Sequence, residues 1–401
     1  MLTAAVAGTI FASPSTKQIL TGLRAIKSKA GTLIIVKNYT GDVLHFGLAA
    51  ERAKAEGLKI EMVVVADDVA VGRQKGSLVG RRGLAGTVLV HKISGALAEK
   101  GSIPVQPKAD NGRESLETVA ATAKNVIENL VTIGFSLDHC SVPGRTTDEF
   151  LAANEVEIGM GIHNEPGVNR LKSIPTSSDL ASKLLKLLLD KSDPDRAFVP
   201  FSPNDQTVLM VNNLGSISNL ELSAFAGLVY EQLEKTYGLK PTRVYVGTFM
   251  TALNGPGVSV TLLNLSRLSD TTSVLAALDA KTTALGWSGN VTSWKRSGKL
   301  DLIASPPEEE HGKVAQVAAD PATFTKILEG AAHALIKAEP EITKYDTIGF
   351  IPFSIELTGS RRRRLWRNSG GGIQRHSLGA EIEFPSSIQY GVRDPCPGSP
   401  R

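Results

Sequence analysis

A chain of 401 residues, 42% hydrophobic and 5% aromatic, can form two or three ordinary domains with a sizeable buried core. Its net charge of +4 is matched by the four arginines at 361–364 alone, which excludes a broad basic surface for nucleic acid. Two cysteines, Cys140 and Cys396, exclude a disulfide framework and a structural zinc centre, and point to a reducing, cytoplasmic setting.

The opening MLTAAVAGTIFA is apolar like a signal-peptide core, but it has no basic flank and is too short to span a membrane. It reads as an internal element standing at the start of the chain, and no other run approaches membrane length. TLIIVKN (32–38) is a buried strand, followed by an amphipathic helix with Phe46, Leu48, Ala49 and Ala53. IEMVVVADD (60–68) is a second strand, with a helix near 84–100 after it. Residues 112–139 read as largely helical. A second unit follows, with strands at 157–163, 207–213, 242–249 and 257–265 and helices at 179–190 and 219–237. The leucines at 180, 184, 185, 188 and 189 fall on one helical face and form core. After Trp294 a polar linker with Pro306-Pro307 precedes a helix at 321–338, and the last fifty residues lose all periodicity. The fold class is therefore α/β, with two consecutive α/β subdomains on open, largely parallel sheets, then a linker, one helix and an irregular tail.

Common catalytic motifs are absent. There is no G-x-x-x-x-G-K-[ST] phosphate loop, no G-x-G-x-x-G after a strand, no G-x-S-x-G elbow and no histidine pair at metal-ligand spacing. Two constellations remain, both at strand carboxyl ends, where ligands bind in open α/β sheets. In Lys37-Asn38-Tyr39-Thr40-Gly41-Asp42, Asp42 suits a general base, although spacing alone favours a helix-capping or turn residue. Lys37 suits a solvated strand end. In Gly159 to Gly167, glycines around His163 allow close approach to a ligand, although a lone histidine at a strand end is also a common structural group.

KNYTGD, GMGIHNEPG, MLTAAVAGTIFASPS, ADDVAV (66–71) and GRRGLAGTVLVHKI (80–93) together resemble the ATP-dependent dihydroxyacetone (glycerone) kinases, the fungal form above all. The resemblance runs over 1–290 and resumes at 321–348. It implies that His163 adds to the ketone carbon of dihydroxyacetone as a hemiaminal, that Asp42 is the general base, and that Lys37 hydrogen-bonds a substrate hydroxyl. A hemiaminal requires a carbonyl, so glycerol is rejected while glyceraldehyde is a second substrate. The resemblance further implies ATP and Mg2+ as co-substrate and cofactor, a homodimer, a cytoplasmic location, and neither nucleic-acid nor membrane partners.

The same resemblance implies a domain plan. Residues 1–125 are the first subdomain of the dihydroxyacetone-binding domain, 126–294 the second with the covalent histidine, and 295–320 the linker. Residues 321–348 begin the helical ATP-binding domain, and 349–401 are an irregular tail. Two family features find no match: a GGGSGHEP loop carrying a second substrate histidine, expected before Met1, and the aspartate-rich metal loop. Asp346, in Tyr345-Asp346-Thr347-Ile348, matches the first metal ligand only. A segment Asp-Gly-Asp-Cys-Gly-Glu read in a shifted frame gives Arg-Arg-Leu-Trp-Arg, the order found at 363–367, so the tail reads as frame-shifted. A non-catalytic dihydroxyacetone-binding or dimerising fragment is the alternative to a kinase. A tubulin-like nucleotide-binding protein would need a phosphate loop that the second unit lacks.

Overall fold

The computed structural model describes residues 1–74, 80–99, 115–144 and 151–287, with isolated positions 326, 330, 333, 334 and 337. The chain divides into two units, Met1–Ala304 and Ser305–Arg401. In the second, the five described positions are helical, inside the helix expected at 321–338. The expected linker, Asp346 and the tail lie outside the described residues.

The first unit begins with helix α1 (Thr16–Ala25), started by a reciprocal cap. Ser15 Oγ accepts from the Gln18 amide, and the Ser15 amide donates to Gln18 Oε1 at 2.9 Å. Strand β1 (Thr32–Lys37) pairs in parallel with β2 (Ile60–Val65), joined by helix α2 (Thr40–Ala55). Ala49, Ala50 and Ala53 face the core. Their small side chains let α2 lie close on Ile34, Val36 and Ile60, with Ile19, Leu20 and Leu23 of α1 completing one apolar cluster.

Helices α3 (Gly86–Ala98) and α4 (Leu116–Glu128) follow, the latter capped by Ser115 Oγ, which accepts from the Thr118 amide at 3.1 Å. Next come β3 (Leu130–Ser136), β4 (Val156–Ile158), β5 (Asn169–Leu171), α5 (Ser177–Leu189) and β6 (Thr207–Asn213). Helix α6 (Asn219–Tyr237) opens with a Ser218–Glu221 capping box and ends at Gly238 with φ +65°. Then β7 (Pro241–Gly247), β8 (Gly257–Asn264) and α7 (Thr271–Asp279) complete the described unit.

The larger sheet has the order β5-β4-β3-β8-β6-β7. Here the α/β layering is as expected, but strand direction differs from a largely parallel sheet. Only β6–β7 run parallel; β4–β5, β3–β4, β3–β8 and β6–β8 are antiparallel. The physical reason is that a continuous apolar run reports burial on both faces and carries no information about direction.

Two further expectations are corrected, and one strand was not foreseen. The helix ends at Glu128, and β3 occupies 130–136 with every residue buried; only Asn129 separates the two, so the apolar pattern runs on without a break. The strand expected at 157–163 stops at Ile158, because Gly159 turns the chain with φ +77°. Strand β5 has exposed Asn169 and Arg170 and no apolar run to announce it.

The small sheet is stitched to β3 just beyond β2. Val69 N donates to Thr132 O at 2.9 Å, and Thr132 N to Asp67 O at 2.7 Å. One apolar cluster spans this seam, holding Val63 and Val65 of β2 with Leu130 of β3, Met210 of β6 and Leu263 of β8. Among the described residues, no helix is long and apolar enough to cross a membrane.

Candidate functional site

The carboxyl ends of β1, β2 and β4 carry the candidate residues. Lys37 ends β1, and Asn38 continues the pairing by donating its amide to Val65 O at 2.9 Å. Asn38 Nδ2 also donates to Arg81 O at 2.7 Å, tying the segment to the 80–85 loop. Tyr39 is the N-cap of α2 and makes no side-chain cap bond. Asp42 therefore lies inside the first turn rather than at the cap, where the helix dipole favours a carboxylate.

Lys37 and Asp42 line one open pocket of about 210 Å³ with Ile35, Val36, Phe46, Thr87 and His91, and with Val6 and Pro14. Burial pushes the Lys37 ammonium below the usual lysine range, against the pull of Asp67 and Asp42. His91 is pushed down to about 4 by burial and then by Lys37, so it is neutral at pH 7. Thr87 Oγ1 is buried without a hydrogen-bond partner.

Strand β2 runs on into two fully buried aspartates, Asp67 and Asp68. Asp67 accepts from Leu84 N at 2.7 Å, Gly86 N at 2.9 Å and Thr132 Oγ1 at 2.5 Å, which fixes the start of α3 against β3. Asp68 accepts from Ala70 N at 2.9 Å and from Arg82 Nε at 2.7 Å. Burial raises its carboxyl to about 6, with Arg82 drawing it partly back. Arg82 Nη2 then donates to Gly159 O at 2.7 Å, so one guanidinium joins the end of β2 to the turn after β4.

That turn presents His163. Gly161 N donates to Glu165 O at 2.9 Å, and Asn164, at φ +66°, exchanges side-chain hydrogen bonds with the Cys140 backbone. A side chain on Gly161 would collide with Glu165 Oε2 and Arg82 Nη1. The His163 amide donates to Glu165 Oε2 at 2.9 Å, and His163 Nδ1 lies 3.0 Å from Glu165 Oε1. Burial pushes the Glu165 carboxyl up, but the hydrogen bonds from the His163 ring and from backbone amides outweigh it and bring it down to about 2. The His163 side chain is 29% exposed and meets the ring edges of Phe11 and Tyr39, with centroids at 4.7 and 5.0 Å.

Lys37 and Asp42 thus share a pocket, while His163 approaches the same segment through Tyr39, which lies between them in sequence. The Tyr39 hydroxyl is buried without a partner; burial, then Glu165, pushes its phenol well above the usual range. Glu165, Arg82 and Tyr39 were not singled out by sequence. Their one visible signal is membership of the same Gly-rich segments as the residues that were.

Residues 1–286 match the family described as Dak1 domain. A dihydroxyacetone kinase of Pichia angusta is 49% identical over 356 residues, covering 86% of this chain and 57% of the relative. Among solved structures, the "dihydroxyacetone kinase from C. freundii in complex with AMP-PNP and Mg2+" aligns with TM-score 0.57 and 34% identity, over 70% of this chain and 46% of that one. The "dihydroxyacetone kinase operon co-activator Dha-DhaQ" aligns with TM-score 0.58 and 30% identity, over 69% and 78% respectively. The chain spans about three-fifths of the length of the curated relatives it matches. With a domain match over most of the described residues and close kinase relatives, the chain belongs to the Dak1-domain family, the family of the dihydroxyacetone kinases.

Proposed function

We propose that this chain is the ketone-binding part of a dihydroxyacetone kinase, which passes a phosphoryl group from ATP to dihydroxyacetone. The observation that carries this reading is the meeting of two strand ends. Lys37 and Asp42 share a pocket, and Tyr39 of the same segment packs edge-on against His163. His163 gives a ring-nitrogen lone pair to the ketone carbon, so the carbonyl oxygen becomes a hydroxyl and the substrate is held covalently. Lys37 donates to a terminal hydroxyl. Asp42 accepts the proton of that hydroxyl as its oxygen attacks phosphorus. Glycerol has no carbonyl to trap and is excluded, whereas glyceraldehyde retains one.

Residues 1–125 would supply Lys37 and Asp42, and 126–294 would supply His163. ATP with Mg2+ supplies the phosphoryl group and neutralises its charge. Asp346 lies outside the described residues, among which no group of three His, Cys, Asp or Glu could hold a metal ion. The steps above therefore use only the residues named. A cytoplasmic homodimer belongs to the same proposal.

A second reading is ketone binding without phosphoryl transfer. The similarity to a co-activator favours it, because this chain covers 78% of that protein but 46% of the solved kinase. Titration of the full chain with [2-13C]dihydroxyacetone should move the ketone carbon resonance to the tetrahedral region, and His163→Ala should abolish the shift. Product formation with Mg-ATP, lost in Asp42→Asn, would establish the kinase; an adduct without turnover would establish the binding protein. No adduct in the wild type would refute both.

A further inference from the structure

We infer that Glu165 is the positioning residue that fixes which nitrogen of His163 attacks the ketone. The inference rests on His163 being the nucleophile. Glu165 grips both ends of one residue: Oε2 accepts the His163 amide at 2.9 Å, and Oε1 lies 3.0 Å from Nδ1. A carboxylate can only accept, so Nδ1 must carry the proton in this contact. In the neutral imidazole the lone pair then belongs to Nε2, and the new bond forms there.

The grip depends on the turn. Asn164 adopts φ +66°, which folds Glu165 back over His163, and its side chain is held by Cys140 N and O at 2.9 and 3.1 Å. Gly161 leaves the space that Glu165 Oε2 occupies beside Arg82 Nη1. Arg82 is itself anchored by Asp68 and Gly159, so the guanidinium that Glu165 acts on is held in place. A low carboxyl value for Glu165 agrees with this arrangement.

The covalent step balances as follows. The Nε2 lone pair forms the N–C bond, the carbonyl π pair moves onto oxygen, and that oxygen takes a proton from solvent water, whose hydroxide passes to bulk. The ring keeps its Nδ1 proton and becomes cationic, facing the Glu165 carboxylate. Glu165 thus orients the nucleophile before reaction and compensates the charge after it.

The test uses the full chain with 15N-labelled histidine and [2-13C]dihydroxyacetone. In the wild type without ketone, His163 should show a protonated Nδ1 and an unprotonated Nε2. Glu165→Gln should mix the two tautomers and weaken ketone binding about tenfold or more, the effect of losing one charge-assisted hydrogen bond. A wild-type ring protonated at Nε2, or a folded Glu165→Gln with unchanged tautomer and affinity, overturns the inference. The tautomer of the free wild type needs no variant and no adduct. It therefore decides the role of Glu165 even if His163 proves not to bind ketone, and that second failure is read separately from the 13C spectrum.

Discussion

Arg82→Met should destabilise the protein more at pH 8 than at pH 4.5, and the size of the difference follows from Asp68. Asp68 is fully buried, and its carboxyl rises from 3.8 to about 6 despite the Arg82 guanidinium at 2.7 Å. Between those values the native state holds the proton more tightly than the unfolded chain. Asp68 therefore contributes stability that is complete below about pH 4 and lost as pH rises through about 6, worth about 3 kcal/mol. Without Arg82 the native value climbs further, and each added unit costs about 1.4 kcal/mol above it. Breaking a buried pair from one side costs about 3–5 kcal/mol at pH 8, where an unpaired carboxylate must be buried or protonated. At pH 4.5 Asp68 is largely neutral in the native states of both proteins, and the variant loses two hydrogen bonds, to Asp68 and to Gly159 O, about 1 kcal/mol each. Urea unfolding of wild type and variant at both pH values reads the difference, since carboxylates remote from Arg82 cancel. An equal loss at pH 4.5 and pH 8 would show that Asp68 does not titrate against Arg82, and the electrostatic account of this joint would fail.

Other substitutions test the frame around the site. Lys92→Met should cost about 1–3 kcal/mol, because Lys92 Nζ donates to Ala277 O and Ala280 O at the end of α7; a thermal melt unchanged by the substitution would contradict this. Ser218→Ala removes the reciprocal cap of α6 and should cost about 1 kcal/mol in urea unfolding, with the ketone adduct retained. Leu184→Ala empties a fully buried position between α5 and the larger sheet and should cost about 2–5 kcal/mol; a loss under 1 kcal/mol would mean that the site collapses without a cavity.

Much of this fold was legible because its strands are continuous apolar runs and its helices carry clean polar starts. Strand β6 occupies 207–213 and α6 occupies 219–237, as the pattern of apolar residues and Ser218 dictate. Direction was not legible: β8 reads like β6 in sequence but runs antiparallel to it. Strand β3 was hidden because a single residue, Asn129, separates it from α4. At the site, Lys37 and Asp42 stand five residues apart and share a pocket, so their association was local. Arg82 was invisible because its partners, Asp68 and Gly159, lie 14 and 77 residues away. Glu165 carries no periodic signal, since its role comes from a turn closed by Gly161 and Asn164.

Four described non-glycine residues have positive φ: Phe11, Asn164, Asn204 and Leu253. Two described non-glycine residues near His163 adopt left-handed backbone: Phe11, whose ring packs on the imidazole, and Asn164, its chain neighbour. For asparagine this conformation is inexpensive, and the two hydrogen bonds to Cys140 offset what remains. For phenylalanine it costs on the order of 1 kcal/mol with no side-chain hydrogen bond to offset it. The aromatic edge contact with His163, worth about 0.5–1.5 kcal/mol beyond its buried area, is of the size needed to hold it there. Phe11 and Tyr39 thus press on His163 from two different segments, while Glu165 holds its Nδ1. The ring is constrained on three sides by groups that no single stretch of sequence brings together, and it remains partly open to solvent. Under the proposed role of His163, this constraint would serve a nucleophile that must meet a small ketone at one angle.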